Sequence, residues 1–149
     1  MTDQQVQTDH QALKKTTGGE AATQRTVWKG WVEIDGKRMF LKSKWEKRYC
    51  LYLSFMKKHG HIVDYWYEPE TFWFEGIKRG TTSYKPDFKV QFPSGNCEFY
   101  EIKGYESAKD RTKYKRMAKY HPKVKLNVVG KEWFKANSPI LKRVIKDWA

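Results

Sequence analysis

Residues Tyr84 to Gly104 read YKPDFKVQFPSGNCEFYEIKG. Phe88, Val90 and Phe92 alternate with polar residues, the pattern of a half-buried strand. Pro93-Ser94-Gly95-Asn96 is a turn cluster, and the aromatic run Cys97–Lys103 follows it, so the stretch Tyr84–Lys103 is expected to be a β-hairpin. Side chains alternate faces along a strand, which puts Glu101 and Lys103 on the same side. The fold-back would set Asp87 beside Glu101. Asp87 could belong to a Pro-Asp turn alone, but the alternation that begins at Phe88 makes it the residue that introduces a strand. Glu98 stands at an odd separation from Glu101 and is expected to face the other way, at the surface. Two carboxylates and one ammonium in one patch suit a hard divalent cation and a phosphate. Gly104, just beyond, leaves room for close approach of backbone or ligand.

Outward from the hairpin the remaining elements can be read. Trp28–Leu41 is expected to form a first hairpin, with Asp35-Gly36 as its turn. A helix should begin near Ser43, because Trp45, Tyr49, Tyr52 and Met56 recur at helical spacing with Cys50 and Leu53 beside them. Gly60 should end it. Ile62–Phe74 reads as an aromatic strand interrupted by Pro69. Ser107 can cap a basic helix running to Tyr120, and His121-Pro122 stops it. Val124, Leu126 and Val128 alternate as a strand. Ser138-Pro139 is expected to open a last helix with Leu141, Val144, Ile145 and Trp148 on its apolar face. After the first hairpin the order is α-β-β-β-α-β-α, which implies an α/β domain on a mixed sheet.

The 149 residues suit one domain, expected over 27–149, with residues 1–26 as a disordered polar tail. Thirty Lys and Arg against 17 Asp and Glu give a net charge of +13, nearly all of it beyond residue 26. A field of that sign favours a polyanion partner. Cys50 and Cys97 have no metal-ligand spacing and are expected to be reduced core thiols. No apolar run reaches membrane length and the N-terminus lacks a signal-peptide core, so a soluble, cytoplasmic protein with no membrane partner is expected.

Pro86-Asp87 followed by Glu101-Ile102-Lys103, set in that element order, resembles the PD-(D/E)XK nuclease superfamily. Within it the chain is most similar to the phage endonuclease I family of Holliday-junction resolvases. The matching pieces are Ser43-x-x-Glu46, Pro86-Asp87-Phe88, Glu101-x-Lys103-Gly104 and His121-Pro122 leading into a strand, over about residues 40–130. The tail, the first hairpin and the final helix lie outside the likeness. It implies a restriction-endonuclease-like core, order α-β-β-β-α-β, with helices flanking the mixed sheet. It also implies a Mg²⁺-dependent endonuclease, with Mn²⁺ able to substitute and one or two ions per site. Metal ligands would be Glu46, Asp87, Glu101 and the carbonyl of Ile102, and Lys103 would be the catalytic lysine. The implied partner is branched DNA such as a four-way junction, cut by a homodimer in the cytoplasm, the host's if the chain is phage-encoded.

Some readings stay open. Ser43-Lys44-Trp45-Glu46 is also a capping box, in which Glu46 would satisfy helix N–H groups. Its position on the face of Cys50 and Leu53 favours the site. Lys109–Lys125 carries eight basic residues and one acid, and Lys109, Lys113 and Arg116 form a helical stripe expected to grip DNA phosphates. His59, His61 and His121 show no metal or nucleophile pattern. The aromatic residues from Tyr65 to Phe74 are expected in the core. Two alternatives remain: a nicking, end-processing or restriction-type nuclease, and a non-catalytic basic nucleic-acid-binding module.

Overall fold

A computed structural model describes residues 28–148, so the tail expected over residues 1–26 lies outside the described residues. The described chain is mixed α/β. It divides into two compact units, the described part of Met1–Phe55 with Ile140–Ala149, and Met56–Pro139.

In the first unit, β1 (Gly30–Ile34) and β2 (Lys37–Leu41) pair antiparallel, with Trp31 opposite Phe40 and Ile34 opposite Lys37. The turn takes φ of 55° at Asp35 and 73° at Gly36. Positive φ at both central residues matches the twist of the strands, and Asp-Gly is a pair that tolerates it. Helix α1 (Lys44–Lys58) follows, and Glu46, Tyr49, Cys50 and Leu53 are its buried stripe at helical spacing. Arg48 Nε donates to the Trp148 carbonyl at 3.1 Å, fastening the helix to the chain end.

The last turn of α1 belongs to the second unit. The His61 N–H bonds to the Met56 carbonyl at 2.9 Å and the Gly60 N–H to the Lys57 carbonyl at 3.1 Å. With Gly60 at φ 76° this is a Schellman stop, as the glycine implied. There follow β3 (Asp64–Tyr67), β4 (Phe72–Trp73), β5 (Ser83–Tyr84), β6 (Phe88–Gln91), β7 (Cys97–Ile102), α2 (Ala108–Tyr120), β8 (Leu126–Val129) and α3 (Lys131–Val144). The main sheet has the order β3-β6-β7-β8. Its first two pairings are antiparallel and β7–β8 is parallel, with α2 as the crossover that a parallel return requires. Tyr65, Phe88 and Val90 are wholly buried in it.

Several elements depart from expectation. The strand expected over Ile62–Phe74 is two strands, broken where Glu68 turns to φ 47° ahead of Pro69. The strand expected over Tyr84–Phe92 is also split, because Pro86 has no N–H to give a ladder. Its first piece, β5, pairs instead with β4. Val124 lies in a turn, its N–H bonded to the His121 carbonyl, and β8 starts at Leu126. The last helix starts at Lys131, not Ser138, and runs through Pro139. The Gly130 carbonyl accepts the Phe134 N–H at 3.4 Å and opens the helix there, and Pro139 leaves only one rung without a donor. Cys50 is buried but Cys97 is exposed, and neither is in a disulfide among the described residues. Trp73, expected in the core, is 67% exposed. Among the described residues no helix is long and apolar enough to cross a membrane.

Candidate active site

The register of the β6–β7 hairpin builds the site. Phe88 lies opposite Tyr100, and one step outward Asp87 meets Glu101. The Asp87 N–H donates to Glu101 Oε1 at 3.3 Å, and the Ile102 N–H donates to Asp87 Oδ2 at 2.8 Å. Each carboxylate is thus aimed by the backbone of the other's strand. The Glu68 N–H reaches the Asp87 carbonyl at 2.7 Å, so Asp87 is held from both sides. Both acids are buried, at 8% and 6% exposure. Pro86, fully buried with its φ fixed by the ring, leads the chain into this position.

Lys103 follows on the strand, and its N–H bonds to the Val129 carbonyl at 3.0 Å. Gly130 packs so closely that a Cβ there would meet the Lys103 carbonyl at 3.3 Å. The ammonium lies 3.5 Å from Asp110 Oδ1 on α2. Asp110 is also the partner of the α2 cap: its Oδ2 accepts from the Ser107 N–H at 2.9 Å and from Ser107 Oγ at 2.8 Å, while Ser107 Oγ accepts the Asp110 N–H at 3.1 Å. Burial by itself raises the Asp110 carboxyl, but the Ser107 hydrogen bonds and the Lys103 charge outweigh it and hold the group below the usual aspartate range.

Burial pushes Glu101 above the usual glutamate range, against the opposing pull of Tyr84, Lys103, the Asp87 N–H and Lys113. Burial also pushes the Tyr84 phenol far up, and the neighbouring Glu101 carboxylate adds to it. The Tyr84 hydroxyl lies beside Glu101 without a well-formed hydrogen bond. It and the Tyr114 hydroxyl are buried with no partner among the described residues. Their rings meet edge-on at 6.1 Å, and the Lys113 ammonium stands 5.7 Å from the centre of the Tyr84 ring.

No protein-family model matches the chain, and no curated protein matches it.

Asp87, Glu101 and Lys103 are therefore brought together in the second unit. Glu46 belongs to the first. Its N–H bonds to Ser43 Oγ at 3.0 Å, and its Oε1 accepts the Lys42 N–H at 3.1 Å, so Ser43 is a cap and Glu46 takes part in the cap. Among the described residues no three His, Cys, Asp or Glu side chains converge as a metal cluster. The basic stripe separates into three surroundings. Lys113 is near enough to Glu101 to act on its charge, Arg116 donates to the Thr81 carbonyl, and Lys109 is exposed. Glu98 faces away from Glu101 as expected, yet it is engaged rather than bare: Tyr100 and Asn127 donate to it at 3.1 Å each, and Lys125 stands 3.4 Å away.

Sequence reasoning missed Tyr84, Asp110 and Tyr114. Asp110 had a readable signal in Ser107-Ala108-Lys109-Asp110, a capping box directly after the lysine strand. Chemically, the patch is two buried, backbone-oriented carboxylates with two ammonium groups at their margin. It has only oxygen donors, which suit a hard cation and no soft metal.

Proposed function

We propose that the chain is a metal-dependent DNA endonuclease of the PD-(D/E)XK type, acting on branched DNA as a homodimer. The observation that carries the reading is the buried pair Asp87 and Glu101, on adjacent strands with Lys103 two residues on. Burying a carboxylate away from water is costly unless a cation offsets its charge, and burial is what raises Glu101. Such a pair fits Mg²⁺. Asp87, Glu101 and the Ile102 carbonyl would hold it, with Glu46 as the further ligand that the family pattern supplies. When bound, the ion supplies an activated water and charge neutralisation at the scissile phosphate.

The chain's own residues do the rest. The Ile102 and Asp87 N–H groups fix both carboxylates before substrate arrives, which avoids reorganisation during reaction. Lys103 places a compact positive charge beside them, where it can steady an attacking oxygen or the charge that develops on phosphate. Asp110 restrains the Lys103 side chain from α2. The net charge of +13 supports a polyanionic substrate. Preference for a junction and the homodimer rest on the family likeness and on a motif that occurs once per chain, since paired cuts on two strands need two sites.

The test compares cleavage of a four-way junction with cleavage of its linear arms, with Mg²⁺ and with EDTA. Junction cutting that EDTA stops is the expected result. Equal cutting of both substrates would move the reading to a general nuclease, and no cutting with any divalent ion would reject it.

A further inference from the structure

β4 and β5 form a small hairpin, Phe72 opposite Tyr84 and Trp73 opposite Ser83. Its loop is firmly held at the base. The Phe74 N–H bonds to the Thr82 carbonyl at 2.9 Å and the Ile77 N–H to the Phe74 carbonyl at 3.1 Å. Phe74 is buried in a cluster with Tyr84 and Met117. Arg116 donates to the Thr81 carbonyl, and the His121 ring nitrogen meets the Trp73 carbonyl at 2.9 Å. At the tip, Gly76 and Gly80 take φ of 84° and 70°, a left-handed backbone that suits glycine, and Lys78 and Arg79 between them are exposed. Neither cation has an ion-pair partner among the described residues, unlike Lys57, Lys89, Lys103 and Lys125. At the base of the loop, on β4, the indole of Trp73 is 67% exposed. Only Lys85 and Pro86 separate the return strand β5 from Asp87, so the loop is tethered closely to the acid pair.

We propose that this loop is a DNA-contacting element, with Lys78 and Arg79 on backbone phosphates and the Trp73 indole against an exposed base. The proposal rests on the nuclease reading for the choice of DNA. Two unpaired cations at the tip and a bare flat aromatic on the strand that leads to it present the two features that nucleic acid recognises without sequence, charge and a stacking face. A protein partner would call for a wider apolar surface than one indole. Arg116 acts here through the Thr81 carbonyl, holding the loop.

The test is fluorescence anisotropy of the full chain on a labelled four-way junction, in EDTA so that no cleavage occurs, over a salt series. Lys78→Ala/Arg79→Ala should weaken binding by about tenfold or more and lower the salt slope by about two, one per lost phosphate contact. Trp73→Ala should weaken binding by about tenfold with the slope unchanged, because stacking releases no counterions. Lys131→Ala/Lys135→Ala is the control for net charge alone. A wild-type slope in the Lys78/Arg79 variant, or an equal loss in the control pair, would overturn the proposal, as would absence of DNA binding by the wild type. Melting curves of each variant check folding, which exposed positions should leave intact. Loop-dependent binding by a protein that never cleaves with Mg²⁺ would sustain this inference while rejecting the nuclease reading. Cleavage with loop-independent binding would do the reverse.

Discussion

The two helices α1 and α2 begin with the same signature and use it differently. Ser43-Lys44-Trp45-Glu46 and Ser107-Ala108-Lys109-Asp110 each place a serine at the cap and an acid three residues on. In both, the serine hydroxyl accepts the N–H of that acid, at 3.0 and 3.1 Å. The shorter Asp110 then closes the box on Ser107 itself and has Lys103 as a second partner. Glu46, one methylene longer, reaches past the cap to the Lys42 N–H. An identical local pattern thus yields one acid absorbed by its cap and the lysine, and another that joins a cap while lying on the buried face of its helix. Sequence spacing alone does not distinguish a capping acid from a catalytic one.

The sharpest way to break this comparison starts from the acids and lysine that belong to neither cap role. Asp87→Asn and Lys103→Ala should each lower Mg²⁺-dependent cleavage by about 10³-fold or more, since in the proposed reaction each removes a group that acts on the metal or the phosphate. Cleavage at the wild-type rate in either variant would reject the site. The same substitutions should leave the far-ultraviolet circular dichroism spectrum unchanged.

Glu46→Gln comes next. A glutamine oxygen can still accept the Lys42 N–H, so the cap survives while the charge is lost. If Glu46 binds metal, cleavage should fall by about 10²-fold with the melting temperature preserved. A lowered melting temperature with intact turnover would make Glu46 a capping residue alone, the same kind of acid as Asp110.

Much of this contrast was legible in advance. Hydrophobic alternation located β6 and β7, Asp-Gly set the first turn, and Gly60 set the stop of α1, because each is a local steric or burial requirement. The juxtaposition of Asp87 with Glu101 followed from a hairpin register, which is also local. What escaped were contacts between side chains on different elements. Asp110 beside Lys103, and Tyr84 beside Glu101, depend on how α2 crosses the sheet and on Pro86 diverting β5 to β4. The start of α3 was misplaced for a different reason: Ser138-Pro139 is a strong opening signal, yet the helix begins at Lys131, directly after Gly130 packs near the Lys103 carbonyl, and tertiary position outweighs local preference.

A smaller effect should separate the two caps by stability. Asp110→Ala removes the reciprocal half of the α2 box and the partner of Lys103, and should cost about 1 kcal/mol in urea unfolding at neutral pH. The Asp110 carboxyl is depressed in the folded chain, so its stabilisation is full above the ordinary aspartate value and fades as pH falls through the depressed one. The gap between wild type and the variant should therefore close only in acid. A gap that stays constant with pH would mean that the carboxylate charge plays no part.

The smallest expected effect has the opposite sign and comes from Glu101, the acid whose carboxyl is raised. The folded chain binds a proton at Glu101 more tightly than the unfolded chain does, because burial penalises the charge. Its contribution to stability is full below the ordinary glutamate value and is lost as pH rises through the elevated one. Without metal, the charged form of the carboxylate is a burden that Lys103 and Lys113 only partly offset. Glu101→Gln keeps the shape and an acceptor for the Asp87 N–H while removing the charge. In EDTA it should raise the melting temperature by a few degrees at neutral pH, roughly what ~1 kcal/mol yields in a domain of this size. The gain should vanish on acidification below the usual glutamate range, where the wild-type group is protonated in both states. With saturating Mg²⁺ the order should reverse, because a cation held by the carboxylate stabilises only the wild type. A Glu101→Gln chain less stable than wild type at neutral pH in EDTA would show that the lysines already outweigh burial. The patch would then have no unmet need for a cation.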